Sequence, residues 1–483
     1  MREVREGGDL PPAEFRAAMH RAADMVADYL EHVGEYPVLP PVKPGEVRAQ
    51  LPAGPPELGE PVDALLADYR RLIEPNVTHW NHPGFFAYFA ITGSGAGILG
   101  ETLAAGLNVN HMLWKSGPAP TELEETVTDW LRQMMELPPA FRGHINDTAS
   151  MSTLLGIAAA RHRASGGAVR TSGLVGMTRM LVYASDHVHS SIDKALMTLG
   201  LGSDQLRRVP VDDAFRMRPD ALERMIAEDR ASGAMPIAIV ATLGTTSTTS
   251  VDPMRAVAAI AQRERLWLHA DAAYAGAAAI CPEYRALMDG LELADSIVVN
   301  PHKWLFTPVD CSVLFLREPE ILREAFTLTP EYLKTTEAGV TNLMDLGPQL
   351  GRRFRSLKLW FVIRSYGVEG LRALIRGHCA MAREFAGWVG KEPGFELCAP
   401  VPFSTVCFRA VLPASLAEQN DFNERLLAEV NAAGPVFLVQ TKLNGRIVIR
   451  LAIGNARTTP AHVAQAWDLI RGAASRLRVA RPA

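Results

Sequence analysis

What the chain lacks narrows it first. No apolar run approaches the roughly 20 residues that a bilayer-spanning helix needs, so a membrane protein is not expected. No long block of basic residues stands out and the formal net charge is only −4, which leaves nucleic acid and anionic membrane surfaces without an electrostatic footprint. The stretch MREVREGGDLPPAEFRAAM is charged and carries no signal-type apolar core, so the cytoplasm is the expected location. Cysteine is scarce: Cys281, Cys311, Cys379, Cys398 and Cys407 are odd in number, scattered, and never spaced C-x-x-C. They imply neither a disulfide framework nor a zinc site and are expected to be buried thiols. His187 and His189 stand two apart without a third ligand at fitting spacing, so no metal is expected.

What is present is the composition of a globular protein, 48% hydrophobic and 21% charged over 483 residues, enough for two or three structural units. Residues 1–77 read as a helical segment: Phe15, Met19, Met25, Val26, Tyr29 and Leu30 recur largely at helical spacing, a proline-rich strap (YPVLPPVKPGEVRAQLPAGPP) follows, and PVDALLADYRRLI suggests a second helix. The strap is expected to run extended. Two amphipathic helices so joined have no core of their own, and a second copy of the chain is the surface they are expected to cover. Residues 78–376 alternate between two periodicities. Strand-like runs stand at MLVYAS, PIAIVAT, LWLHAD, SIVVN and SVLFLR, with DPMRAVAAIAQRER a helix between the second and third, and Thr121–Glu124 reads as a capping box opening another helix. Strands apolar throughout that alternate with helices predict an α/β domain with a mostly parallel sheet covered on both faces. Residues 377–483 mix helices with STVCFRAVL and RIVIRLAI, which suits a small α+β domain.

Ligands of such sheets sit at the carboxyl ends of the strands. Those ends here carry Asp271, Asn300 with His302 and Lys303 (in NPHKW), Thr246 (in LGTTSTT) and His189. A lysine in a partly dry pocket can form a Schiff base with an aldehyde. Pyridoxal 5′-phosphate is the usual such aldehyde, and its ring nitrogen takes an acid partner, for which Asp271 is the candidate. Backbone N–H groups and the Ser150 hydroxyl, at the start of the helix-like run Leu154–Arg161, would cradle a phosphate. His189 could stack on the ring.

The motifs LWLHADAAYAG, ADSIVVNPHKW, VTHWNHPGFFAYF, PAPTELEETVTDWLRQMMELP, ATLGTTS, PEYLK, LGRRFRSLKLWFVIRSYGVEGL and VIRLAI together resemble the group II pyridoxal-phosphate decarboxylases, in their aromatic-L-amino-acid decarboxylase branch. The resemblance covers nearly the whole chain. It implies fold type I (aspartate aminotransferase-like), with a seven-stranded sheet in the large domain, and an obligate homodimer whose N-terminal helices swap onto the partner. It implies Lys303 as the cofactor-bearing lysine, Asp271 as the ring-nitrogen partner, and His189 as the stacking histidine. Ala149 and Ser150 match the phosphate-binding pair, Asn300 and His302 complete that end, and Thr246 lies close to cofactor and substrate. Tyr332 matches a loop tyrosine that protonates the substrate carbon after CO2 loss, on a loosely held segment of about Thr327–Leu346. Trp80, Tyr88 and Phe89 match the aromatic wall of the substrate pocket.

The chain also departs from the family. Asp147-Thr148-Ala149-Ser150-Met151-Ser152 replaces Gly-Ser-Ala-Ser-Glu-Ala, which puts an unexpected acid near the phosphate. Asn110 and Met112 stand where relatives are more apolar, and Ile91 replaces a pocket threonine of animal relatives. Gly351 corresponds to a position that is glycine in indole-using plant relatives and serine in phenol-using ones. The implied activity is decarboxylation of an aromatic L-amino acid to its amine and CO2. The alternatives are an oxygen-using aldehyde synthase, which in plant relatives goes with phenylalanine at the loop tyrosine, and a non-catalytic protein that kept the fold.

Overall fold

Strands that are apolar on both sides must be covered on both sides. The computed structural model, which describes residues 9–328, 337 and 339–479, shows such a sheet. Its strands are β1 (Arg142–Asn146), β2 (Met180–Ser185), β3 (Leu206–Val209), β4 (Met235–Thr242), β5 (Trp267–Asp271), β6 (Ser296–Val299) and β7 (Ser312–Leu316). Their order is β1-β7-β6-β5-β4-β2-β3, with β7 antiparallel to both neighbours and the other pairs parallel. Alternate residues feed two separate cores: Leu181, Tyr183, Ile239 and Ala241 join one, while Val182, Ala184, Ala238 and Val240 join the other. A second, small sheet of β8 (Phe395–Leu397), β9 (Thr405–Ala410), β10 (Val439–Leu443) and β11 (Arg446–Ala452) has the order β10-β11-β9-β8 and is antiparallel where β8 meets β9. The chain has the α/β fold expected of it.

The chain divides into two compact units, one of Met1–Ala87, Leu412–Ile449 and Arg457–Ala483, the other of Tyr88–Val411 and Arg450–Ala456. This division by compactness cuts the chain elsewhere than the three sequence segments do. In the first unit, Pro12–His32 is the N-terminal helix, and Val62–Asp68 continues through a wider turn at Tyr69–Ile73. The strap is not wholly extended, because Glu46–Gln50 forms a short helix entered through Gly45 at φ 93°. That left-handed entry is open to glycine and costly to most other residues.

In the second unit, the helix containing T-E-L-E begins earlier than a capping box at Thr121 requires. It spans Pro118–Met134, and the Thr121 hydroxyl donates to Gly117 O at 2.8 Å from inside the first turn. Pro118 at the first helical position fixes the start instead, which releases Glu124 for a buried ion pair described below. Another helix, Ala149–Ala164, crosses the sheet closely at Gly156, where a Cβ would stand 2.7 Å from His269 Nδ1. This close approach presses that helix onto the sheet. Four of the five cysteines are buried and Cys398 is partly so. No described helix is long and apolar enough to cross a membrane.

Candidate active site

The register brings three strand ends to one edge: Thr242 of β4 pairs with Asp271 of β5, which pairs with Val298 of β6. One step beyond β6, Asn300 precedes a single helical turn, Pro301–Trp304, that carries Lys303. Asp271 is 6% exposed, and its Oδ1 accepts the Ala273 N–H at 3.2 Å. Burial pushes the Lys303 ammonium below its ordinary pKa, and the Asp271 charge opposes that shift. His189 is lowered by burial as well, with Asp271 raising it and Lys303 lowering it. These three side chains therefore share one electrostatic neighbourhood. The His189 ring is fixed through Nδ1, which lies 2.9 Å from the Ser191 hydroxyl and accepts the Ser191 N–H at 3.1 Å.

A stack of flat rings supports the lysine. Phe89 lies on Tyr274 (centroids 3.7 Å apart, 11° between planes), Tyr274 on Trp304 (4.7 Å, 6°), and Trp304 donates its indole N–H to His378 Nδ1 at 2.9 Å. Lys303 Nζ stands 5.4 Å over the Phe89 ring, and so does the guanidinium carbon of Arg450. Arg450 is 3% exposed and donates only to backbone carbonyls, of Ser247 at 2.8 Å and Tyr88 at 3.4 Å. No carboxylate pairs with it among the described residues, and burial lowers its pKa. A buried cation without an acid partner is costly unless an anion is meant to meet it. Sequence reasoning missed Arg450; the available signal was an arginine inside the otherwise apolar VIRLAI of β11.

At the other end of the site, His302 Nδ1 accepts the Cys311 N–H at 2.9 Å, and burial, then Lys303, hold this imidazole neutral with a pKa of about 3. Ala149 and Ser150 open their helix, and their N–H groups have no acceptor within the described residues. Asn300 Oδ1 is buried without a hydrogen-bond partner. Thr246 is exposed in the turn after β4, beside a buried run of hydroxyls at Thr245, Thr248 and Ser250. A lysine, an acid to accept from a ring N–H, free helix N–H groups to donate to a phosphate, and an asparagine amide with an unsatisfied oxygen are the groups that pyridoxal phosphate would use.

The remaining candidates are more dispersed. Tyr88 is 51% exposed at φ 49°, and Ile91 is partly buried. Trp80 belongs to the first unit, packed against Phe85 at 4.4 Å. Met112 packs against Leu113 and Met344, and its carbonyl accepts the Met344 N–H at 3.1 Å. Gly351 is exposed, and a Cβ there would meet only Asn110 Nδ2, at 3.9 Å. Tyr332 lies outside the described residues. The segment expected to be loosely held is anchored at its returning end, because Leu343, Met344, Asp345 and Leu346 are buried in a helical turn.

Behind the site sits a cluster that sequence reasoning did not single out. Glu124 accepts from Arg352 Nη2 at 2.7 Å and from the Ile145 N–H at 2.9 Å, and it lies 3.3 Å from His111 Nε2. Burial would raise its pKa, yet Arg352 with His111 and His144 holds it down at about 2. This node ties β1, which leads into the Ala149 turn, to the segment behind Gly351.

A family model described as the pyridoxal-dependent decarboxylase conserved domain matches residues 44–411. The aromatic-L-amino-acid decarboxylase of Catharanthus roseus is 40% identical over 479 residues, spanning 97% of this chain and 95% of that protein. A phenylacetaldehyde synthase of Petunia hybrida is also 40% identical, over 485 residues, spanning 96% of this chain and 95% of that protein. The crystal structure of Oryza sativa TDC with PLP and tryptamine matches with a TM-score of 0.94 at 37% identity, covering 98% of this chain and 99% of that one. The chain belongs to the pyridoxal-dependent decarboxylase family, in its aromatic-L-amino-acid decarboxylase branch.

Proposed function

We propose that this protein decarboxylates an aromatic L-amino acid to the corresponding amine and CO2, as a homodimer. The observation that carries the reading is the convergence of Lys303, Asp271 and the unpaired cation Arg450 around Phe89 at the carboxyl edge of a parallel sheet. Bound pyridoxal phosphate supplies an electron sink for the charge left at the substrate's Cα when CO2 departs. Lys303 is its attachment point, and its lowered pKa favours the neutral, nucleophilic amine. The Asp271 carboxylate would favour a proton on the ring nitrogen. His189 would cover the ring, with Thr246 close by, and Ala149, Ser150, Asn300 and His302 would hold the phosphate end. Arg450 would receive the substrate carboxylate, and Phe89, with Tyr88, Ile91 and Met112, would bound the side-chain pocket. The Tyr332 phenol donates its proton to Cα.

A Cβ at position 351 would meet only Asn110 Nδ2, at 3.9 Å, so the fold does not require glycine there. The match of Gly351 to the glycine of indole-using plant relatives favours tryptophan in a panel with tyrosine, dihydroxyphenylalanine, phenylalanine and histidine, and Gly351→Ser should shift the preference toward tyrosine. Homodimerisation is supported by unpartnered apolar rows. Leu99, Leu103 and Leu107, four residues apart on the helix Gly95–Leu107, are 61%, 54% and 62% exposed, and Leu65, Tyr69 and Ile73 form a similar row. Such rows rarely face water in a monomer. Light scattering should give a dimer, and an active monomer at micromolar concentration contradicts this.

The aldehyde-synthase alternative stays in view because a relative of equal identity carries that name. Amine, aldehyde and CO2 measured together in air separate the two. The native protein should yield amine. Tyr332→Phe, which deletes only the phenolic hydroxyl, should yield less amine, with aldehyde, ammonia and peroxide in its place. Aldehyde as the main native product overturns the proposal.

A further inference from the structure

We infer that Asp147 is a brake on cofactor retention, a fixed negative charge beside the phosphate cradle that makes the protein hold a phosphorylated cofactor less tightly than the cradle alone would. The inference rests on the reading of Ala149 and Ser150 as phosphate donors.

Asp147 is the first of the two residues between β1 and the helix Ala149–Ala164. Its Oδ1 accepts the Thr148 N–H at 2.5 Å and the Thr148 hydroxyl at 3.2 Å, and Oδ2 accepts from Gln349 Nε2 at 3.5 Å. Thr148 is the residue that would ordinarily cap this helix with its hydroxyl, yet it makes no side-chain cap. With the hydroxyl drawn back to Asp147, the N–H groups of Ala149 and Ser150 stay open for an anion.

The same carboxylate faces that anion with its own charge. The nearby cations are already committed. Arg355 feels Asp147 but forms two hydrogen bonds with Asp310, at 2.9 and 3.2 Å. Lys358, 1% exposed, pairs with Glu101 at 2.8 Å. His302 is neutral. Among the described residues the cradle therefore consists of neutral donors next to an acid, and an arriving phosphate meets repulsion that no spare cation there cancels. The consequence is a cofactor that exchanges readily with the free pool.

The test compares the apo forms of the native protein and D147N, using pyridoxal phosphate and unphosphorylated pyridoxal as paired probes and reading affinity from the quenching of protein fluorescence. Asparagine keeps an oxygen for the Thr148 N–H and loses only the charge. D147N should bind pyridoxal phosphate about fivefold tighter at low salt, the scale of one screened charge acting on a phosphate near a surface. The gap should narrow as ionic strength rises, and pyridoxal affinity should stay unchanged. Asp147→Ser, which also keeps an acceptor, should move in the same direction if the asparagine variant folds poorly. Equal or weaker pyridoxal phosphate binding in both variants overturns the inference, as does an equal gain for pyridoxal. Failure of the native protein and both variants alike to bind pyridoxal phosphate overturns the site reading and the inference together.

Discussion

Lys303 sits between opposing demands. Burial favours its neutral amine, while the Asp271 carboxylate favours the ammonium. Asp271→Asn removes the second influence, so the free lysine should titrate still lower. Cofactor retention should weaken, and turnover should fall on the order of a hundredfold, as when a preorganised charge is removed from a reacting centre. Absorbance titration of the cofactor and steady-state kinetics check this, and near-normal turnover contradicts the role. Both residues were legible in the sequence because Asp271 ends an apolar strand, Lys303 follows another by four residues, and each has chemistry that such a position can use. Arg450 was not, because nothing local separates an arginine that awaits a carboxylate from one that caps a strand. Its meaning comes from Phe89, hundreds of positions away in sequence.

At the scale of elements, buried strands were legible and edge strands were not. β2, β4, β5, β6 and β7 are apolar runs because both their faces are covered. β1 (RGHIN) and β3 (LRRV) stand at the two sheet edges, where polar residues are tolerated and the pattern dissolves. Thr121 misled for a related reason: a capping-box pattern is local, whereas Glu124 is spent on Arg352 and β1. That pair braces β1 against the segment behind Gly351. Arg352→Met alone strips the buried Glu124 of its guanidinium partner, leaving only the Ile145 N–H and the neighbouring imidazoles, and should cost about 3–5 kcal/mol. The double variant Glu124→Leu with Arg352→Met should cost less than the sum of the single changes. Denaturant unfolding of the four proteins checks the coupling, and strict additivity contradicts the brace.

At the scale of the whole molecule, the grouping of residues 1–87 with 412–449 and 457–483 had no local signature, because it depends on which distant surfaces meet. The pH response is likewise a property of the whole. Burial lowers His82, His269 and His378 to about 4 and His144 to about 3, from an ordinary 6.5. The unfolded chain takes up these protons as pH falls through 6.5, and the folded chain does not until near 4, so stability is full above 6.5 and drains away below it. Asp252 works in the opposite sense: burial raises it from 3.8 to about 6, so acid relieves a penalty there and offsets one histidine. With the active-site His302, also lowered to about 3, four net protons correspond to roughly 5 kcal/mol per pH unit at the steepest. The melting temperature should fall clearly between pH 6.5 and 4.5, and a flat profile over that range contradicts the burial of these rings.

The most direct test of the proposed chemistry is borohydride reduction of the purified protein followed by peptide mapping. A single pyridoxyl group on Lys303, absent from Lys303→Ala, is the expected result. A reduced adduct on another lysine, or one that persists in Lys303→Ala, would contradict the account at its centre.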